Sequence, residues 1–386
     1  MPYFSFSLKE KSANLLYIHD DLKKISINKT YYSKNTELWK LLNKKKFNQY
    51  INQLSFEKIN KSQQNGKKIL FLIPPNIGFG DALEYGEAIN IVKEKCSFDY
   101  VCLGFLGKYS DIINQYFSFD KVFSIIISKK ELDFFDIIFH TSYEVKSFKF
   151  QKYNRSNIKE NILKYFKISD TQKKLQKIKN KKIKRISVFP ISKSPIRIMP
   201  VKLINEIIEI FSKKYKIEIL FESNSILSKT TELMISQNKY VKIIPKNPKE
   251  LMKYLKDIEF GIFMDSGPLH GAKFFKKRGI FLETSVSSKI LLKNYYLIKA
   301  IKNHFISSYC SSPCGLVNVF NYNNELGCFE TLKVHQKEIK NLRNSKNIER
   351  NIDKKKYNLF VKNNVGCIKN LNIKKIINLI KKEILL

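Results

Sequence analysis

Two hydrophobic rhythms alternate along this chain. Short apolar runs rich in Ile, Phe and Leu are separated by stretches whose apolar positions recur three and four residues apart. The first pattern marks buried strands and the second amphipathic helices. From Lys68 the alternation is clear. It predicts a strand over Ile69–Pro74, a helix over Ala82–Glu94, a strand over Phe98–Leu103, a helix over Tyr109–Phe117, and strands over Lys121–Ile127 and Phe135–Phe139. It restarts at Arg185, with strands over Ile186–Phe189, Ile217–Phe221, Val241–Ile244, Phe260–Met264 and Gly279–Leu282. Helices are expected over Pro200–Tyr215, Ile226–Ser236, Pro248–Leu255 and Pro268–Lys276. Strand–helix repetition of this kind builds parallel sheets covered on both faces. The fold class is therefore α/β, with two Rossmann-like, doubly wound domains.

The remaining segments divide the chain further. Residues 1–66 read as an N-terminal extension with a weak helical pattern around Leu38–Leu54, ending at a polar stretch, Asn60–Gly66. The first Rossmann-like domain spans 67–170. A Lys- and Asn-rich connection with patchy helical period, including Asn157–Phe166 and Thr171–Ile178, leads to the second domain, 185–328. Residues 329–365, dominated by Lys and Asn, read as a surface insertion. Residues 366–386 contain a closing amphipathic helix, Ile373–Leu385, with Ile376, Ile377, Leu379, Ile380 and Ile384 on one side.

The net charge of +37 invites a nucleic-acid reading, but its composition argues against one. The chain has 65 lysines and only six arginines, and the lysines are scattered. Readers of phosphate and base edges lean on Arg, so no nucleic-acid partner is expected. The excess charge would instead draw the protein to an anionic glycan or the surface of an anionic membrane. No apolar run approaches the ~20 residues of a membrane span, and the first ten residues do not read as a secretory signal. Six unevenly spaced cysteines suit a reducing cytoplasm.

Three motifs carry candidate chemistry. In Gly261-Ile262-Phe263-Met264-Asp265-Ser266-Gly267-Pro268-Leu269-His270 a buried strand breaks into a turn and a helix begins. Such a turn either caps the helix through Asp265 or Ser266 or cradles an anion on the new helix's amides. Pro74-Pro75-Asn76-Ile77-Gly78-Phe79-Gly80-Asp81 ends the first strand. Asp81 there is either a general base for a hydroxyl or a first-turn acid favoured by the helix dipole. The third motif, Phe189-Pro190-Ile191-Ser192-Lys193-Ser194-Pro195-Ile196-Arg197, sets two cations in a loop before a Pro-started helix. They suit a diphosphate, or are two solvated loop charges. His270 is either a structural hydrogen-bonder or a donor contact. Cys310, Cys314 and Cys328, with Cys367 farther away in sequence, lack paired zinc-site spacing. Free or packed thiols are expected, with no metal and no Asp-x-Asp motif.

Together these motifs resemble glycosyltransferase family 9, the ADP-heptose:lipopolysaccharide heptosyltransferases. The resemblance rests on the Gly-Asp loop, the cationic loop, the Asp-Ser-Gly-x-x-His turn, the Cys310–Cys314 loop and the closing Gly366–Leu371 segment, and spans residues 68–386. It implies a GT-B fold, two domains facing across a cleft, and an inverting transferase acting in the cytoplasm or at the inner face of the cytoplasmic membrane. The implied co-substrate is a nucleotide sugar, an ADP-linked heptose, with no cofactor. The implied acceptor is an anionic lipopolysaccharide-type glycolipid or other glycan. Asp81 would be the base, with Asn76, Gly78 and Gly80 in the acceptor loop. Lys193, Arg197, Asp265, Ser266, Gly267 and His270 would bind the donor. Two positions depart from the family pattern: Leu282-Glu283-Thr284-Ser285 replaces a Gly-Pro-Thr-like turn, and Arg197 stands where Lys is usual. They leave open a different donor or acceptor; the other reading is a binding protein for anionic glycan or nucleic acid that keeps the fold without turnover.

Overall fold

Strands that are apolar on both faces can be satisfied only inside a sheet covered by helices, and the second half of the chain builds a sheet of six strands around such a centre. In a computed structural model these are β10 (Arg185–Phe189), β11 (Lys216–Leu220), β12 (Val241–Ile243), β13 (Phe260–Phe263), β14 (Arg278–Leu282) and β15 (Ile298–Ile301). All neighbours are parallel, in the order β12-β11-β10-β13-β14-β15. The structure describes residues 3–10, 25–57, 59, 61–63, 65–74, 77–141, 157–169, 182–307, 310–315, 328 and 359–385. The chain divides into two compact units, Met1–Tyr143 with Ile158–Asp170, and Glu144–Asn157 with Thr171–Leu386.

In the second unit the chain runs outward from β10 to β12, then returns to lay β13 on β10's other side. The place where winding reverses, between β10 and β13, leaves a crevice at the strands' carboxyl ends. One face is sealed by the helix Val201–Phe211, whose Leu203, Ile204, Ile207, Ile208 and Phe211 are buried, and by the closing helix Ile373–Leu385. On the other face Phe263 lies flat across Gly261 and stacks on Phe189 at 4.7 Å and 12°. A Cβ on Gly279 would approach the Gly261 carbonyl oxygen to 2.2 Å, so these glycines are required by the close approach of backbone and ring.

The amino edge of this sheet consumes two of the scarce arginines. Arg185 pairs with Glu259 at 3.2 Å, and Arg278 donates to the Glu383 carbonyl at the end of the closing helix. Tyr254 bonds the buried Glu218 at 3.0 Å.

The first unit contains β1 (Tyr3–Leu8), β2 (Tyr31–Ser33), β3 (Ile51–Glu57), β4 (Lys61–Ser62), β5 (Lys68–Leu72), β6 (Tyr100–Gly104), β7 (Lys121–Val122), β8 (Ile126–Ser128) and β9 (Ile137–His140). Its main sheet has the order β4-β9-β5-β6-β7, parallel except for β4. The expectation of a separate extension over 1–66 is corrected here. Strands β3-β1-β2-β8 form an antiparallel sheet, so three strands from the first 57 residues pair onward to β8 of the Rossmann-like part. Alternating aromatics in β1, with Phe4 and Phe6 buried among Leu38, Leu42 and Phe47, give this sheet its own core.

The surface insertion expected over 329–365 is corrected at its end: Phe360, Val361 and Val365 are buried in the second unit's core. Residues 329–358 and the helix expected over Thr171–Ile178 lie outside the described residues. Strand β15 and the hairpin of β16 (Phe305–Ser307) with β17 (Cys310–Ser312) were not anticipated.

His140 ties the two sheets of the first unit together. Its Nε2 donates to the Ile59 carbonyl at 2.7 Å, and Nδ1 accepts from the Tyr3 hydroxyl at 2.9 Å. Burial, and then the nearby Lys34 ammonium, hold its pKa below the ordinary 6.5. The unfolded chain therefore binds more protons below about pH 6.5, and stability falls as pH drops through that window. Acidification from about pH 7 to about pH 5 should lower the thermal midpoint more in the wild type than in His140→Asn. Equal slopes would show that His140 contributes nothing to acid sensitivity.

Candidate active site

The turn after β13 lies at the reversal point of the second sheet. Asp265 and Ser266 follow the strand's last residue, Phe263, closely, and the helix Gly267–Phe274 begins at once with Pro268 in its first turn. Ser266 occupies the cap position without capping: its side chain bonds no first-turn amide, and its hydroxyl is 3.4 Å from the Met264 carbonyl oxygen. Asp265 turns instead toward the loop after β10, where its Oδ2 accepts from Arg197 Nη1 at 2.9 Å. The Asp265 side chain is 2% exposed and that of Arg197 13%.

A buried pair of this kind has a local cause. Pro195–Arg197 forms a single 3₁₀ turn, with the Arg197 amide on the Ser194 carbonyl at 3.1 Å. Ile196 and Ile198 on either side are fully buried, so the guanidinium is carried inward on a fixed backbone. Lys193, by contrast, is exposed on the same loop. His270 is buried in the first turns of the Gly267–Phe274 helix. The structure thus brings Arg197 and Asp265 into contact, places Ser266, Gly267 and His270 on the adjoining turn, and leaves Lys193 at the rim.

Sequence reasoning missed three hydroxyls at the same edge. Ser194 Oγ after β10, and Thr284 Oγ1 and Ser285 Oγ after β14, are buried without a hydrogen-bond partner among the described residues. The signal available for two of them was the Glu283-Thr284-Ser285 departure. Glu283 is itself buried, and its Oε2 accepts from the Ser288 amide at 2.6 Å. The hairpin β16–β17 fixes this loop from outside: Ser312 Oγ donates to the Thr284 carbonyl and the Gly315 amide to that of Ser285.

Cys367, distant in sequence, lies close enough to Cys310 and Cys314 to feel their charge. Burial first, then those neighbours, push its thiol up to about 12, and burial raises Cys310 to about 11. None of the six cysteines is in a disulfide. Among the described residues no group of three or more His, Cys, Asp or Glu side chains is placed to hold a metal ion.

In the first unit Asp81 sits in the opening turn of the helix Phe79–Lys95, and its Oδ2 accepts from the Gly78 amide at 2.9 Å. This is a capping interaction, and a Cβ on Gly78 would press within 3.0 Å of that oxygen. Asp81 is half-buried and Gly80 buried. Asn76 lies outside the described residues.

Solved structures share the fold. A glycosyl transferase family 9 crystal structure from Veillonella parvula superposes with a TM-score of 0.51 at 9% identity, covering 84% of this chain and 99% of that one. The fold is that of glycosyltransferase family 9. E. coli ADP-heptose lps heptosyltransferase II matches with a TM-score of 0.44 at 9% identity, over 62% of this chain and 91% of that one. The dodecameric iron-containing heptosyltransferase TibC, solved in complex with ADP-D-beta-D-heptose, matches with a TM-score of 0.47 at 11% identity, over 92% and 83%. No family model and no curated protein matches the sequence. The α/β class and the pair of parallel-sheet units expected of a GT-B protein are thus established. No described helix is long and apolar enough to cross a membrane.

Proposed function

We propose that this protein is an inverting glycosyltransferase whose second unit binds a nucleotide-sugar donor. The observation that carries this reading is the buried Arg197–Asp265 pair at the winding reversal, beside a helix start that Ser266 leaves uncapped. An open α/β sheet binds its ligand at that place, and helix amides with a guanidinium suit a diphosphate.

In the proposed reaction the acceptor hydroxyl oxygen attacks the sugar's anomeric carbon. The bond from that carbon to the diphosphate oxygen breaks, and its electron pair departs on the diphosphate. Arg197, with Lys193 at the rim and the Ser266 and Gly267 amides, stabilises that charge. Asp265 holds Arg197 with one oxygen and sugar hydroxyls with the other, and His270 contacts the donor. Asp81 takes the acceptor proton, so no covalent enzyme intermediate is needed. An ADP-linked heptose is the proposed donor. A lipopolysaccharide-type glycolipid or other glycan is the proposed acceptor, reached from the cytoplasmic side of the membrane. The basic surface supports an anionic acceptor and peripheral membrane contact. The competing reading, a glycan-binding protein without turnover, draws support from Asp81's capping bond.

A thermal-shift screen of ADP, UDP, GDP and ADP-heptose tests donor binding. A ligand at about a hundred times its Kd adds about 2.7 kcal/mol to stability, a rise of several degrees at about 2–4 °C per kcal/mol. A rise confined to the adenine nucleotides supports the ADP-heptose reading. No rise with any nucleotide removes the donor site.

A further inference from the structure

The first unit has a half-open cavity of about 420 Å³ that none of the roles above uses. Its walls come from four places, one of them Ser124 and Ile125 in the segment after β7. Ile77 lies on the loop that leads to Asp81, Phe105 and Lys108 lie on the loop after β6, and Asn35 and Glu37 come from the start of the short helix Thr36–Leu42. That helix belongs to the N-terminal segment, whose purpose the sequence left unassigned.

The wall after β6 is built under strain. Phe105 has φ of 67°, in the left-handed region that a bulky side chain rarely adopts. The next residues are pinned to the segment after β7: the Gly107 amide donates to the Ser124 carbonyl at 3.0 Å, and Ser124 Oγ donates back to the Gly107 carbonyl at 3.2 Å. Backbone held in a costly conformation by its surroundings gathers at ligand sites. The wall also touches the helix that carries Asp81. Phe79, two residues before Asp81, packs its ring 6.1 Å from that of Tyr109 on the cavity's lining.

The lining's chemistry narrows the guest. Ile77, Phe105 and Ile125 offer an apolar floor. Asn35 commits its Oδ1 to the Leu38 amide at 2.8 Å, so what it presents is the amide NH₂. Glu37 offers a carboxylate and Lys108 an ammonium. One charge of each sign leaves the lining with no net charge, so it does not favour an anion over a neutral guest. A few polar groups around an apolar floor, in a volume of this size, suit a small polar molecule. A sugar ring presents such a pair of surfaces, an apolar C–H face and a rim of hydroxyls.

We propose that this cavity is the acceptor subsite, taking one neutral sugar ring, and that Asn35 and Glu37 make the N-terminal segment its specificity element. The assignment rests on the glycosyltransferase reading and adds to it where the acceptor's terminal ring sits.

Saturation-transfer NMR on the full chain, with methyl glycosides of glucose, galactose, mannose and a heptose as probes, tests it. At least one probe should receive saturation from the wild type and lose most of it in Glu37→Ala and in Ile77→Trp, which fills the cavity. Unchanged thermal midpoints would show that both variants fold. No saturation with any probe, or equal saturation in all three proteins, overturns the subsite. With an oligosaccharide that is glycosylated in the ADP-heptose assay, Glu37→Ala should raise the acceptor KM about tenfold and leave the donor KM unchanged. Transfer insensitive to Glu37 would sink the cavity and spare the glycosyltransferase reading. Sugar binding lost in both variants, in a protein that binds no nucleotide, would sink the acceptor role and that reading together.

Discussion

Asp265→Ala is expected to remove about 3–5 kcal/mol of unfolding free energy, because it takes the carboxylate away from a largely buried guanidinium. The two side chains are 2% and 13% exposed, so solvent makes up only part of the lost interaction. A loss of that size is a large share of the ~5–15 kcal/mol that stabilises an ordinary domain. The double variant Arg197→Met, Asp265→Leu should be markedly more stable than Asp265→Ala, since it removes both charges at once. Neither variant should respond to ADP in the thermal-shift screen. Urea unfolding followed by circular dichroism reads the first effect. A loss below about 1 kcal/mol, the worth of a surface pair, would mean that the pair is hydrated and the site not preorganised.

Asp81→Asn is expected to reduce transfer by about 10²–10⁴-fold, the usual contribution of a positioned base. The choice of Asn matters because Asp81 also caps its helix through the Gly78 amide. An Asn carbonyl can still accept that bond, whereas Ala would lose a cap worth about 0.5–2 kcal/mol. The thermal midpoint and the ADP shift of Asp81→Asn should therefore match the wild type while nucleoside diphosphate release in the presence of acceptor collapses. If release persists at wild-type rates, Asp81 is a helix cap and the base lies elsewhere.

The repeating elements were legible because their signal is local. The closing helix lies over Ile373–Leu385 as expected, with Ile376, Ile377, Ile380 and Ile384 buried, because a one-sided apolar stripe has one way to be covered. The strand–helix alternation of both sheets was legible for the same reason. The N-terminal strands were not, because antiparallel pairing with β8 joins residues about a hundred positions apart. Residues 359–365 misled by their setting: Phe360 and Val361 sit at the edge of a Lys- and Asn-rich stretch, yet the second unit's core needs them.

The candidate site divides along the same line. Sequence alone marked the two turns, the scarcity of Arg and the strand–turn–helix geometry that places both at a sheet's carboxyl edge. Only the tertiary structure decided what Asp265 does. A turn of that composition can cap a helix or hold a partner. The choice fell to Arg197, 68 residues away in sequence, because β10 and β13 are neighbours in register. Asp81 went the other way and bonds its own helix. Local spacing shows which groups a turn can offer. Which of them are already engaged depends on long-range strand order.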